Sequence, residues 1–469
     1  MKPEKFIYKK VVKTIIFNKH YRSVAVKQLD KYIKKKIEND SSEELVDAKL
    51  KRYQFLSSFL NIAKKNLDRG FYSKLAFSKL IHSLTGDTLI INGADKIKSK
   101  QIEYKSKYGE YIPGFIVLSP TKRCNLKCKG CYASSNSSTS STLPYSIVDK
   151  IISDVNNIFG RKFAVISGGE PFLYKSEGKT LMDIFKKHND VFFLVYTNGT
   201  LITPDIAQEL AELGNVTPAI SVEGFEKETD ARRGKGVYNK VLKAMENLRQ
   251  AGIPFGISVT ATMKNYKLLL KDEFYDYYFE ELGVSYMWQF QFMPIGRGEE
   301  ALNLVVDPEK RMALYKMWEK LLAEKKYPRA DFWNSGVVSK GCIAYGRKNG
   351  YIYIDWNGNI MPCVFVPYYV DNIYDLYKQG KSLVHATQST LMKNGRKWQK
   401  DYEKPGYNYL MPCSIRDHYK NFRENIITNN TKPEDKQAEK ALEDHKYYSS
   451  MIKYDDELEE LTKRIIYRD

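Results

Sequence analysis

The stretch Ser119-Pro-Thr-Lys-Arg-Cys124-Asn-Leu-Lys-Cys128-Lys-Gly-Cys131-Tyr132 decides the fold, and it holds three of the chain's six cysteines. Three residues separate its first two cysteines, and two separate the second from the third. The apolar run Gly114–Leu118 comes directly before it, so we predict a loop that follows a buried strand. Three thiols on such a loop can surround one face of an iron–sulfur cube, whose irons are normally held by four cysteine thiolates. We therefore expect either a distant fourth ligand or one iron left open for chemistry.

Zinc is the main alternative for these thiols. Structural zinc sites take four nitrogen or sulfur ligands at short spacings, and no second cysteine pair lies near this loop. The spacing therefore favours a cluster over zinc. A disulfide framework is excluded, because six cysteines among 469 residues is sparse usage and indicates a reducing compartment.

The charge of the chain is concentrated at its start. The net charge is +19, and residues 1–40 carry twelve Lys and Arg against four acids. Val11, Val12, Ile15 and Ile16 form an apolar patch among lysines, which favours a helix packed on the main domain over one lying on an anionic membrane. We read no signal peptide and no apolar run of bilayer length. We expect a cytoplasmic protein, with peripheral contact at the inner face of the membrane through 1–40 as the alternative.

Alternating strand and helix patterns begin near residue 110 and predict a parallel sheet covered by helices. We divide the chain into a basic helical N-terminal domain (1–110), an α/β barrel domain (111–325), a C-terminal extension (326–430) and a charged, solvated helical tail (431–469). The predicted strands are 114–120, 163–168, 191–198, 216–223, 254–261 and 285–293. The predicted barrel helices are 143–158, 179–188, 203–213, 237–250, 268–282 and 307–324.

The cysteine loop, with Tyr132 directly after its third cysteine, resembles the signature of radical S-adenosylmethionine (SAM) enzymes. The resemblance implies a (βα)6 partial TIM-type barrel in which Cys124, Cys128 and Cys131 hold a catalytic [4Fe-4S] cluster and the fourth iron binds SAM. One electron then cleaves SAM to a 5′-deoxyadenosyl radical, which abstracts hydrogen from an unactivated C–H bond. The resemblance further implies a reduced flavodoxin or ferredoxin as electron donor.

Residues at the strand ends resemble the SAM contacts of that family. Ser167-Gly168-Gly169-Glu170-Pro171 resembles the segment that holds the amino group of SAM. On the fourth strand and just after it, Ser221 and Arg233 are expected to contact SAM, Arg233 through the carboxylate. For Arg233 the alternatives are Arg232 in the same role and a surface ion pair with Glu226 or Glu228. Thr260 and Tyr132 are expected near adenine. We expect Thr197-Asn198 to form a polar turn over the mouth of the barrel, and Arg297 to lie in a turn from which it would face substrate or cofactor. A plain turn without a further role fits both patterns about as well.

The other three cysteines, Cys342, Cys363 and Cys413, lie in the C-terminal extension. A Trp356-Asn357-Gly358 turn between two β-like runs predicts a hairpin before Cys363. The arrangement resembles a SPASM or twitch extension, but with too few cysteines for two clusters. A second [4Fe-4S] cluster is the favoured reading, with Asp417, His418 or an open iron completing it. A zinc site and three buried thiols without a metal are the alternatives.

The sequence specifies the type of reaction more closely than it specifies the substrate. We expect radical modification of a peptide or protein, with modification of membrane lipid chains as the alternative. A metal-stabilised module that binds nucleic acid is the non-enzyme alternative. It is disfavoured because aromatic residues interleave with basic ones only diffusely.

Overall fold

The computed structural model describes residues 17–39, 46–85, 94–404 and 407–466. The apolar patch at 11–16 and the cap expected at Ser42 lie outside these ranges. Every predicted strand of the barrel is present, with ends one or two residues shorter than the sequence pattern indicated. These strands are β1 Phe115–Leu118, β2 Phe163–Ile166, β3 Phe192–Thr197, β4 Val216–Val222, β5 Gly256–Ala261 and β6 Met287–Gln291.

Four further strands extend this sheet at its two edges. They are β7 Arg329–Asp331, β8 Tyr351–Ile354, β9 Asn359–Met361 and β10 Asp371–Asn372. The order is β10-β9-β8-β1-β2-β3-β4-β5-β6-β7. Every pairing from β8 to β7 is parallel, while β8–β9 and β9–β10 are antiparallel. The expected partial barrel is confirmed, and β7 and β8 bring it to eight parallel strands.

The C-terminal extension is part of the same sheet as the barrel. β8 lies beside β1, pairing Phe115 with Tyr351 and Leu118 with Ile354. The predicted hairpin is confirmed: β8 and β9 flank the turn, and Gly358 has a φ of +81°. The loop that follows β1 and the loop that follows β8 therefore leave the sheet at one edge, since carboxyl ends of parallel strands lie together.

The two faces of the sheet differ in composition. The outer face carries aliphatic side chains such as Ile116, Ile220 and Val259, which pack under the surrounding helices. The inner face is rich in aromatic rings, among them Tyr196, Trp288, Phe290, Phe332 and Tyr353. The interior of the barrel is therefore a packed aromatic layer.

Helices cover the outer face and both ends of the barrel. The helices of two or more turns are Lys19–Glu38, Val46–Asp68, Lys74–Thr85, Ala94–Tyr108, Tyr145–Asn157, Leu181–Lys187, Pro204–Leu213, Glu226–Arg233, Val237–Gln250, Pro308–Lys320, Thr390–Tyr402, Lys436–Glu443 and His445–Ile466. Shorter ones are Asp272–Asp276, Gly336–Ser339, Ile373–Lys378, Leu383–Ala386 and Tyr419–Asn421. The helix expected over 268–282 is broken into a 3₁₀ turn, a short α-helix and the π-turn Tyr277–Glu281.

The N-terminal helices pack at the amino ends of the strands. Asn66 Nδ2 donates to the carbonyl of Gly283, just before β6, at 2.8 Å. Lys79 Nζ reaches the carbonyl of Leu213, just before β4. These helices therefore lie at the end of the barrel opposite to the cysteine loop. No helix among the described residues is long and apolar enough to cross a membrane.

The prediction that the tail is a solvated helix is wrong. Residues Lys436–Glu443 and His445–Ile466 are helical, but Tyr447, Met451 and Leu458 are buried against the rest of the molecule. Their spacing of four and seven residues places them on one side of the helix. The charged residues between them hid this apolar stripe in the sequence.

Candidate functional site

The three cysteines of the signature loop lie at the carboxyl end of β1 and form no disulfide. Cys124 is buried, and Cys128 and Cys131 are half-buried. The backbone N–H of Leu126 donates to Cys124 Sγ at 3.4 Å, and Asn198 Nδ2 approaches the same sulfur at 3.8 Å. Such donors favour the thiolate, which is the form that ligates metals.

Burial raises the pKa of two of these thiols. The pKa of Cys124 is raised to about 12, mainly by burial and further by the neighbouring Glu170, Cys128 and Cys131. The pKa of Cys128 is also raised by burial, while Arg233 acts in the opposite direction. Three thiolates held this close need a positive charge, which a bound metal centre supplies. The donor set therefore fits an iron–sulfur cluster.

Gly168 and Gly169 pack directly against the cysteine loop. A Cβ on Gly169 would lie 2.2 Å from the Arg123 carbonyl oxygen, and a Cβ on Gly168 would lie 2.6 Å from that of Thr121. The N–H of Gly169 donates to the Thr121 carbonyl at 2.9 Å. The absence of side chains thus brings the segment after β2 onto the loop backbone.

Glu170 is fully buried beside the loop and accepts three hydrogen bonds. Its donors are the Thr197 hydroxyl at 2.7 Å, the Asn198 N–H at 2.7 Å and the Phe172 N–H at 3.2 Å. Burial raises the pKa of Glu170, and these hydrogen bonds oppose the rise. Asn198 also donates to Asn125 Oδ1 at 2.8 Å, inside the cysteine loop. Thr197 and Asn198, in sequence a turn with no certain role, therefore join β3 to the site.

A pair of arginines meets a buried carboxylate on the other side of the loop. Arg233 Nε and Nη2 donate to Glu223 Oε1 at 3.0 and 2.6 Å, and Arg232 Nη1 donates to the same oxygen at 2.5 Å. Among the described residues, no group forms a hydrogen bond with the buried Glu223 Oε2. The surface ion pair of Arg233 with Glu226 or Glu228 is not formed, because Arg233 pairs with Glu223 instead. Sequence reasoning missed Glu223, although its place at the end of β4 could have indicated it.

The same helix forms two hydrogen bonds with the backbone of the cysteine loop. The Lys129 N–H donates to the Arg232 carbonyl at 3.0 Å, and Arg232 Nε donates to the Lys129 carbonyl at 3.2 Å. Helix Glu226–Arg233 therefore fixes the position of residue 129 between Cys128 and Cys131.

The turn after β6 holds the loop from a third side. Arg297 Nη2 donates to the carbonyls of Ser135 at 2.7 Å and Cys128 at 3.3 Å. A Cβ on Gly296 would lie 2.2 Å from the Tyr132 carbonyl oxygen. Arg297, which the sequence left between a substrate contact and a plain turn, therefore positions the cysteine loop.

The remaining expected SAM contacts line the same end of the barrel. Ser221 Oγ on β4 lies 3.2 Å from Ser258 Oγ on β5. Tyr132 Oη lies 3.0 Å from Ser167 Oγ, and burial raises its pKa to about 12. Thr260, on β5, is half-buried, and its carbonyl accepts from Asn265 Nδ2 at 3.0 Å. Their roles toward SAM stay predictions.

The structure also brings the three distant cysteines together. Burial raises the pKa of Cys342, Cys363 and Cys413, and the proximity of the thiols adds to the rise for Cys363 and Cys413. Tyr351 Oη, on β8, lies 2.9 Å from Cys363 Sγ. This second thiol group therefore adjoins the inner face of the barrel.

The expected fourth ligands of the second group are occupied by protein partners. Asp417 is fully buried, and its oxygens accept from Arg311 at 2.5 and 3.2 Å and from the Cys413 N–H at 3.1 Å. His418 Nε2 lies 2.8 Å from the Met411 carbonyl. The arrangement disfavours Asp417 as a ligand and leaves only Nδ1 of His418.

Among the described residues, no three His, Cys, Asp or Glu side chains converge closely enough to hold a single metal ion. Ligands of one zinc ion surround one point, whereas the thiolates of a cluster each bind a different iron.

The radical SAM superfamily model matches residues 118–267. These residues are a radical SAM domain. They begin at the end of β1 and include the cysteine loop, Glu170 and both arginines, so the match coincides with the site described above. The chain is a radical SAM enzyme, and enzymes of this family use a [4Fe-4S] cluster and SAM.

Two curated relatives cover more of the radical SAM chain. The AdoMet-dependent heme synthase of Methanosarcina barkeri is 28% identical over 291 residues, which are 56% of this chain and 79% of that protein. The mycofactocin maturase MftC of Mycolicibacterium smegmatis is 30% identical over 275 residues, 56% of this chain and 66% of that protein.

A solved structure supports the fold. The crystal structure of Streptococcus suis SuiB bound to S-adenosylmethionine has a TM-score of 0.50 and 17% identity, and the alignment covers 76% of this chain and 87% of SuiB. At that identity the similarity shows the shared fold of the barrel.

Proposed function

We propose that this radical SAM enzyme cleaves SAM reductively at a cluster held by Cys124, Cys128 and Cys131, and that the resulting radical modifies a peptide or protein. The observation that carries the proposal is the convergence of three free thiols, buried Glu170 and the Arg232–Arg233 pair at one end of the barrel. When bound, the cluster and SAM supply a 5′-deoxyadenosyl radical that abstracts hydrogen from a C–H bond.

In this proposal, different residues around the loop bind different groups of SAM. Glu170 presents a buried carboxylate beside Cys124, suited to an ammonium group. Arg233 presents a guanidinium suited to a carboxylate, and its present bond to Glu223 Oε1 holds it in place. Ser221 and Thr260, on the neighbouring strands β4 and β5, are proposed to contact the nucleoside of SAM. The aromatic interior excludes water from this end of the barrel, which protects a reactive radical.

The substrate class rests on the relatives. The maturase relative supports a peptide, as the sequence interpretation expected. A tetrapyrrole is a second candidate, because another relative is a heme synthase and the inner face of the barrel offers many aromatic rings against which a planar substrate could stack.

The test is SAM cleavage after anaerobic reconstitution with iron and sulfide. With dithionite and SAM, we expect 5′-deoxyadenosine from the wild-type protein and none from Cys128→Ala at equal folded content by circular dichroism. Wild-type protein without 5′-deoxyadenosine, or full activity in Cys128→Ala, would contradict the proposal. Stimulation by an iron tetrapyrrole rather than by peptides would select the second candidate.

A further inference from the structure

A small cavity lies between the mouth of the barrel and the C-terminal tail. Its lining includes one carboxyl group and several aromatic rings, from Tyr132, Gly296, Tyr368, Tyr419, Glu434 and Tyr447. Tyr132 directly follows the third cysteine of the signature loop, so the cavity adjoins the end of the barrel where that loop lies. The cavity is narrow and has room for about one water-sized group. We call this space the tail cavity.

Backbone contacts hold Glu434 at the tail cavity. The short strands Tyr368–Tyr369 and Lys432–Pro433 pair antiparallel, and the Glu434 N–H donates to the Pro367 carbonyl at 2.9 Å. The carboxyl group of Glu434 forms no hydrogen bond or ion pair with another residue that the structure describes. The tail therefore presents an unpaired carboxyl group beside the mouth of the barrel.

The two acidic residues near Glu434 have partners of their own. Asp355 is buried and accepts from two backbone N–H groups, both at 2.8 Å. Asp435 caps the helix Lys436–Glu443 by accepting from the Ala438 N–H at 2.9 Å. Glu434 is therefore the acidic side chain of this group that is left to meet a ligand.

The surroundings of Glu434 disfavour its negative charge. They raise its pKa to about 8, mainly by burial and further by the charges of Asp355 and Asp435, while Lys122 acts in the opposite direction. Lys122 Nζ lies 5.1 Å from the centroid of the Trp356 ring and makes no ion pair with Glu434. Without a closer cation, the carboxyl group is protonated at neutral pH, and a bound cation would favour its ionised form.

The tyrosines of the tail cavity contribute their rings more than their hydroxyl groups. Three of the hydroxyls donate to backbone carbonyls at 2.9, 3.3 and 3.4 Å, from Tyr368, Tyr419 and Tyr447 respectively. Burial raises the pKa of Tyr132 to about 12 and also raises that of Tyr353, so the two phenols that neighbour Glu434 stay neutral. Aromatic rings beside one acidic group are a combination that attracts ammonium ions.

We propose that the tail cavity binds a primary ammonium group of the substrate, with Glu434 as its carboxylate partner. This inference rests on the proposed function, because the ammonium would belong to a peptide, either at a lysine side chain or at the amino terminus. An ammonium group is close to water in size, whereas a guanidinium is larger and planar. Hard metal ions prefer several oxygen ligands, and the tail cavity offers mainly aromatic rings. Binding there would hold the peptide beside Tyr132 and the cysteine loop.

The experiment is calorimetric titration of the anaerobically reconstituted protein at pH 7. Nα-acetyl-lysine methylamide represents the side chain and glycine methylamide the amino terminus. Nα-acetyl-norleucine methylamide lacks the ammonium group, and potassium chloride supplies a free cation. Titrations in two buffers of different ionisation enthalpy count the protons released. Glu434→Gln removes the carboxylate, and Glu439→Gln, an exposed residue of the following helix, is the matched control.

We expect at least one of the two amines to bind and to release about one proton from Glu434 to the buffer, because the carboxyl group ionises when the ammonium arrives. Glu434→Gln should bind that amine at least about tenfold more weakly, without proton release. Glu439→Gln should match the wild-type protein in both respects. The amine that binds identifies the source of the ammonium group.

The ammonium site would be overturned if neither amine binds, if binding releases no proton, or if the norleucine compound binds equally well. Affinity within about twofold of wild type in Glu434→Gln would overturn it too, as would proton release with potassium chloride in place of the amines. If Glu434→Gln does not fold, the proton count and the norleucine comparison in the wild-type protein decide. A wild-type protein that forms no 5′-deoxyadenosine would instead refute the proposed function, and the calorimetry would still decide the ammonium site.

Discussion

Glu170 shows how single side chains hold the site together. Its carboxylate has no exposure to solvent and accepts from two backbone N–H groups and one hydroxyl, donated by Phe172, Asn198 and Thr197. A buried charge persists only when such bonds replace its hydration. The residue that we expect to meet the ammonium of SAM is thus also the residue that ties β2 to β3.

We expect Glu170→Gln to reduce the free energy of unfolding by about 1–3 kcal/mol, because an amide nitrogen would face donors where an oxygen now accepts. SAM affinity should fall as well. Chemical denaturation and equilibrium dialysis measure the two effects. Glu177→Gln is the control, since Glu177 caps an exposed helix start through the Ser146 N–H at 2.9 Å. Unchanged stability and SAM affinity in Glu170→Gln would contradict the assignment.

The buried carboxyl group of Asp455 should make the free energy of unfolding depend on pH. Burial raises its pKa to about 8. Its Oδ2 accepts from the Tyr419 N–H at 2.6 Å, whereas Oδ1 has no hydrogen-bond partner in the part of the chain that the structure describes. The folded state therefore holds a proton that the unfolded state releases near pH 4. The stabilisation is complete below about pH 4 and is lost as pH rises toward about 8. Asp455→Asn should flatten this decline in denaturation curves, and an unchanged slope would refute the prediction.

At the scale of elements, three segments clamp the cysteine loop: the Gly168-Gly169 turn after β2, helix Glu226–Arg233 after β4, and the Gly296-Arg297 turn after β6. Each contacts loop backbone through a glycine without a side chain or through an arginine that donates to carbonyls. The loop is therefore positioned by elements that converge from several strands, which fixes the arrangement of the thiols.

We expect Gly169→Ala to displace the cysteine loop, because its Cβ would lie 2.2 Å from the Arg123 carbonyl oxygen. Gly178→Ala is the matched control: it has open space, and its φ of +73° imposes strain alone. Both variants should lose roughly 1–2 kcal/mol or more of stability, but only Gly169→Ala should reduce iron incorporation. Equal iron content in the two variants would exclude the clamp.

The sequence pattern predicted strands and helices well where the periodic pattern extends over many residues. It predicted poorly the features that depend on contacts between residues far apart in the sequence. β3 and helix Val237–Gln250 have clear periodicity, and the cysteine spacing indicated the loop. The three-residue β7 is too short for any pattern, and the place of β8 beside β1 depends on a pairing more than 230 residues apart. Glu223 was missed, and the role of Asn198 was left open, because the importance of both residues comes from neighbours on other strands.

On the scale of the whole molecule, the C-terminal extension completes the barrel. β8 covers the edge of β1, and Arg311, from the helix after β6, forms a fully buried pair with Asp417 next to Cys413. The barrel and the second thiol group are thus joined both by a shared sheet and by a buried charge pair. Loss of the shared sheet or of the charge pair should therefore affect both the barrel and the second thiol group.

We expect Arg311→Met to destabilise the protein by about 3–5 kcal/mol, because Asp417 would be left buried without its cation. The double variant Arg311→Met with Asp417→Asn should recover much of that loss, since no unpaired charge remains. Denaturation of the single and double variants measures the coupling. Equal stability of the two variants would contradict the role of the pair.

We propose that the loop from Cys124 to Cys131 holds a cluster with one iron open to SAM. The most direct test is electron paramagnetic resonance of the dithionite-reduced protein with Cys342, Cys363 and Cys413 all replaced by alanine, which isolates the loop. We expect about four irons per chain, as a [4Fe-4S] centre requires, and a spectrum that shifts when SAM is added. Bound zinc in place of iron, or a cluster spectrum that SAM leaves unchanged, would contradict it.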